Sequence, residues 1–113
     1  MDEGKTTIAP EVLITIARLT TLNVPGVSRM CVEPPGMGRL FKRNFTEGVR
    51  IEVKNDTVYA DIHVILHKDV NLRDVSRNIQ QQVLRAISEM VGMQVGSIDV
   101  HIEDIDYAAE NEA

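Results

Sequence analysis

Two spacings of apolar residues organise this chain. In residues 8–27, "IAPEVLITIARLTTLNVPGV", Val12, Leu13, Ile16, Ala17 and Thr20 recur at three- and four-residue intervals. That spacing predicts a helix with one apolar face. Pro10 suits the first helical position, where a missing N–H costs nothing. Val24-Pro25-Gly26 stops the helix, because proline disfavours helical geometry in the residue before it. Val27 to Glu33 predicts a short first strand.

From Val49 the period changes to two. Val49, Ile51 and Val53 alternate with Arg50, Glu52 and Lys54. Val58, Ala60, Ile62, Val64 and Leu66 then alternate with Tyr59, Asp61, His63, Ile65 and His67. Asn55-Asp56 between the runs tolerates positive φ, so the pair predicts a tight hairpin turn. With one apolar and one mostly polar face, the sheet is expected to be covered on one side only.

"NLRDVSRNIQQQVLRAISEMVG" returns to the helical period. Leu72, Val75, Ile79, Val83, Ala86, Ile87 and Met90 form the expected buried stripe. Asn71 is the expected N-cap, Asp74 suits the positive first turn, and Gly92 the left-handed C-cap. "VGSIDVHIEDI" alternates again and predicts a last strand. The order α-β-β-β-α-β predicts an α+β two-layer sandwich: two helices on one face of a small, mainly antiparallel sheet. One domain is expected over 1–113, with a mobile basic loop expected at 34–47 and a frayed acidic tail at 106–113.

Composition narrows the function. The net charge is −5 and the sequence pI is near 5.1, so attraction to nucleic acid or anionic lipid must be local. There is no Trp, with two Tyr and two Phe, which argues against stacking platforms for bases. The single cysteine, Cys31, has no internal disulfide partner. Its expected role is that of a small, partly buried hydrophobe. The polar opening "MDEGKTT" does not read as a signal peptide, and no apolar run approaches the ~20 residues of a bilayer span. The expectation is a soluble, cytoplasmic protein.

Candidate chemistry is sparse. "EPPGMGRLFKRNF", residues 33–45, holds a Gly-x-Gly but lacks the full phosphate-loop pattern, and it does not lead from a strand into a helix N-terminus. Its Arg39, Lys42 and Arg43, with Leu40 and Phe41, make a local basic and apolar cluster. That cluster is read as a docking element, or as a long connection. Nucleic-acid binding through 39–50 is the alternative reading, opposed by the acidic net charge. His63 and His67 share one strand face. His63 and His101 approach each other if their strands are neighbours, with Asp61 or Asp99 as a third metal ligand; solvated histidines are the expected outcome, with no metal or cofactor. Tyr59, His63, Ile65 and His67 make a second candidate contact surface. Ile65 is its apolar misfit.

The chain also resembles the bacterial alkaline shock protein family, also described as a general or envelope stress response family. The resemblance runs from about Gly4 to Ile105. It is carried by "GKTTIAPEVLITIA", by "VPGV" at 24–27, by "LFKRNFTEGVRIEVKNDTVYADIHVIL" and by "DVSRNIQQQVLRAISEMVGMQVGSIDVHI". His67-Lys68-Asp69 stands where the family often has a Tyr-Gly pair, and Glu33-Pro34-Pro35 also departs from it. The resemblance implies a non-enzymatic, self-associating interaction or scaffold protein. It further implies a place at the inner membrane face through a small membrane-anchored partner, in cell-envelope stress. It supplies no catalytic residues.

Overall fold

A computed structural model describes residues 3–33 and 45–108. Helix α1 spans Pro10–Leu22, strand β1 Val27–Met30, β2 Phe45–Thr46, β3 Val49–Lys54 and β4 Thr57–His67. Helix α2 spans Leu72–Ala86 and continues through a π-helical turn, Ile87–Val91, before β5, Gln94–Asp106. The α+β order is the expected one, with the short β2 added ahead of β3.

Local signals account for the boundaries. Pro10 opens α1. The Asn71 side chain accepts a hydrogen bond from the Asp74 amide at 3.0 Å and so caps α2. Gly92 ends the π-helical turn at φ 77°. Asn55 and Asp56 take φ 51° and 59° in the turn between β3 and β4.

β4 is the central strand. β5 runs parallel along one of its edges for its full length. A strand that follows a crossover helix returns parallel, so this pair adds a parallel component to an otherwise antiparallel sheet. The other edge of β4 is shared end to end. β3 pairs antiparallel with Thr57–Ile62, and β1 with Val64–Leu66. His63 sits at the junction: its N–H donates to the Gly48 carbonyl and its carbonyl accepts from the Cys31 amide, both at 2.8 Å.

Both helices cover one face of the sheet. Leu13, Ile14 and Ala17 of α1 and Val75, Ile79 and Val83 of α2 meet Val49, Ile51, Val58, Ala60, Ile62, Val64 and Leu66. Thr21 is also fully buried, and its hydroxyl donates to the Ala17 carbonyl at 2.7 Å.

Several expected core positions are displaced. Val12 is 46% exposed, because α1 is apolar on two sides and turns Leu13, Ile14 and Ala17 inward instead. Leu72, at the first turn of α2, is exposed. Met90 is 72% exposed: the wider π turn breaks the 3.6-residue phase that would have carried it to the core.

Candidate functional site

The face of the sheet away from the helices carries the titratable residues. In-register pairing places Arg50 beside Asp61, Asp61 beside Asp99, and His63 beside His101. Side-chain bonds connect them. Arg50 Nη1 reaches Asp61 Oδ2 at 3.1 Å, and Arg50 Nη2 reaches Glu52 Oε2 at 3.4 Å. Asp61 Oδ1 accepts from His101 Nε2 at 2.9 Å. The His101 and His63 rings stack at 4.4 Å with 14° between their planes. His63 Nδ1 donates to Glu103 Oε2 at 2.6 Å, and the edge-on Phe45 ring lies 5.4 Å from it.

Two bulges in β5 build this arrangement. The pairing slips between Val95 and Ser97 and again between Ile102 and Asp104, so Gly96 and Glu103 are the extra residues. A Cβ at Gly96 would collide with the Tyr59 ring, which occupies that space. Gly48 is tightly packed at the β1–β4 junction: its φ is 88°, and a Cβ there would come within 2.9 Å of the Met30 Cβ and 3.0 Å of the His63 carbonyl. A side chain at 48 would therefore push the turn before β3 away from β1 and from His63.

The stacked histidines approach each other, as the strand parity implied. Imidazole lone pairs lie in the ring plane, so two nearly parallel rings cannot aim nitrogens at one point between them. His101 Nε2 and His63 Nδ1 each already face a carboxylate. Among the described residues no group of three His, Cys, Asp or Glu is placed to hold a metal ion. Arg50 offsets part of the carboxylate charge on this half-open sheet face. Partly exposed ion pairs of this kind contribute about 0–1 kcal/mol each.

The other predicted residues divide. Tyr59 is exposed on this face. His67 is half-buried at the far end of β4, where its amide donates to the Gly26 carbonyl at 2.8 Å. Ile65 corrects the sequence reading: it is 8% exposed, not a solvent-facing misfit. It lies on the central strand with Arg29 of β1 on one side and Asp104, after the bulge, on the other. Neighbours on both sides restrict its access to water. A charge at 65 would be a folding lesion before it was an interface lesion. Arg39, Leu40, Phe41, Lys42 and Arg43 lie outside the described residues. Phe45 and Thr46, expected in the loop, pair instead with Arg50 and Val49.

Asp106, read as tail, is the last residue of β5. The Ser28 hydroxyl donates to it at 2.6 Å and the Ala108 amide at 3.0 Å, and Arg29 lies at 3.1 Å. The Ser28 bond, then the Ala108 bond and the charges of Arg29 and His67, lower its carboxyl below the usual value. Cys31 is half-buried, and burial raises its thiol, in keeping with an unreactive small hydrophobe. Glu103 and Phe45 were missed as site residues. The strand-helix-strand order at 57–106 was a signal for the parallel pairing that brings Glu103 in; the bulge left no mark in the alternation.

The chain matches the alkaline shock protein 23 family, described as having a cell envelope-related function, over residues 1–107. It belongs to that family. It is 33% identical over 104 residues to the uncharacterized protein Spy1535 of Streptococcus pyogenes, covering 90% of this chain and 79% of that one. It is 26% identical over 106 residues to the uncharacterized protein YqhY of Bacillus subtilis, covering 92% and 78%. Among solved structures, MamM-CTD superposes with a TM-score of 0.54 at 14% identity, covering 85% of this chain and 99% of that one; the likeness is one of fold. No helix among the described residues of the family member in hand is long and apolar enough to cross a membrane.

Proposed function

We propose that this alkaline shock family member is a non-enzymatic, self-associating interaction protein that works at the cell envelope through a membrane-anchored partner. The family's cell envelope-related function is the observation that carries the reading. The polar sheet face supports it. One nitrogen of each stacked histidine faces a carboxylate, and Asp61 also takes Arg50, so these groups form side-by-side pairs rather than converging on a common point. The basic cluster Arg39, Lys42 and Arg43 is the docking element in this reading. At about 1 kcal/mol per basic residue near an anionic surface, it gives only ~3 kcal/mol, too little for membrane residence without a partner.

The test is crosslinking in cells with a tagged chain, followed by fractionation and mass spectrometry. The expected result is a small membrane protein crosslinked to the chain, loss of that crosslink on changing Arg39, Lys42 and Arg43 to Gln, and no flotation of the purified chain with anionic vesicles. Flotation without any partner would sink the docking half of the reading. Nucleic acid recovered with a steep salt dependence, lost in the same triple variant, would favour the alternative instead.

A further inference from the structure

α1 carries a second apolar stripe opposite its core face. Val12, Leu19 and Leu22 are 46%, 49% and 39% exposed, and Ile8, just before the helix, is 37% exposed. Thr15 is exposed between them. Within the helix, Val12, Thr15, Leu19 and Leu22 follow one another at intervals of three, four and three, the spacing of a seam between two paired helices; Ile8 lies outside that repeat, because Ala9 is extended. The residues turned into the domain, Leu13, Ile14, Ala17 and Thr21, fall on the other side of that repeat. The seam is therefore not the edge of the core face.

From this stripe we infer that α1 is the interface of a symmetric dimer, packed antiparallel against α1 of a second copy of this chain. The inference rests on the self-association reading and gives it a surface. Charge selects the direction. Glu11 and Arg18 each precede a seam residue and lie on one flank of the stripe; Ala9, Ile16 and Asn23, on the other flank, carry no charge. In an antiparallel pair like flanks face each other, so Glu11 of each copy meets Arg18 of the other. That register sets Val12 against Thr15 across the two-fold axis and brings Leu19 over the segment that leads into the partner's helix. A parallel pair would set the charged flank against the uncharged one and leave Glu11 and Arg18 without partners across the seam. The Arg18 guanidinium lies beside Glu47, Nε to Oε2 at 2.6 Å but without a directed hydrogen bond from Nε; in the dimer its charge would be shared with the second carboxylate. A 13-residue helix is about 20 Å long. One such helix face covers only about half of the roughly 800 Å² per partner of a standard interface. The dimer is thus weak and concentration-dependent, a contact that a scaffold repeats rather than a permanent pair.

Sedimentation equilibrium of the full chain, from micromolar to about millimolar protein, tests this. The wild type is expected to shift from monomer to dimer. Leu19→Glu, at an exposed position, is expected to raise the dissociation constant about tenfold or more with an unchanged melting curve. Self-association that Leu19→Glu leaves intact overturns the seam while the self-association reading stands. A wild type that stays monomeric throughout overturns both. Direction is read in a Cys31→Ser background by mixing Val12→Cys chains with Thr15→Cys chains and oxidising. Mixed disulfides are expected; Val12→Cys chains joined only to one another would overturn the antiparallel arrangement.

Discussion

The two helices lie side by side on the same sheet, yet they treat solvent differently. α2 shows Arg73, Asp74, Arg77, Asn78, Gln81 and Arg85 on and around its outer side, with Arg85 paired to Glu89 at 3.2 Å; its own exposed leucines, Leu72 and Leu84, stand twelve residues apart and make no seam spacing. α1 has two charged residues in 13, Glu11 and Arg18, and shows Val12, Leu19 and Leu22 outward. On the core side the two are equivalent, each with three apolar residues packed on the strands. The difference lies on the outer side, where the proposed α1 pairing would bury the stripe. A helix solvated for good has no use for an apolar outer stripe, and one that meets a partner does.

The largest effects should show the equivalence. Leu13→Ala in α1 and Ile79→Ala in α2 are each expected to lower stability by about 2–5 kcal/mol in urea denaturation, as large-to-small changes in packed cores do. A cost near zero for Leu13→Ala would mean that α1 is loosely held, and the comparison would fail at its base. The next effect separates the helix starts. Asn71→Ala is expected to cost about 1 kcal/mol. Ala9, which offers α1 no side-chain cap, should gain up to about 1 kcal/mol on Ala9→Ser. Outer-face changes are smaller still. Val12→Lys and Gln81→Lys should each move monomer stability by less than about 0.5 kcal/mol. Light scattering should show reduced association for the first alone.

The smallest expected effect lies outside both helices and gives their common baseline. Asp106 has a lowered carboxyl pKa in the fold. Its contribution to stability is present above the unfolded value and is lost as the pH falls through the folded one. Ser28→Ala removes the first cause of the lowering. It should shallow the loss of stability below about pH 4 and move the Asp106 titration, followed by carbon NMR, upward.

Much of the fold was legible because the apolar spacing was regular. The hairpin of β3 and β4, its Asn55-Asp56 turn, the Asn71 cap and the Gly92 end all follow from local chemistry. Three things were not legible. α1 has apolar residues on two faces, so periodicity alone could not choose between Val12 and Ile14 for the core. Met90 was carried outward by a π turn, which leaves no sequence mark. Ile65 looked exposed by parity, yet the central position of β4 encloses it. In the site, parity brought His63 to His101. The register that adds Glu103 depends on a bulge whose extra residue reads like any other strand position.

One consequence of the topology concerns what the chain between β1 and β3 is free to become. Cys31 and Gly48 bond to the two backbone groups of a single residue, His63. The two ends of the intervening segment are thereby held at one point of the sheet. With the ends fixed, added length costs little, since doubling a loop adds only about 0.6 kcal/mol of closure cost. A fluorophore or an affinity sequence inserted between 34 and 44 is therefore expected to leave the melting curve of the domain nearly unchanged.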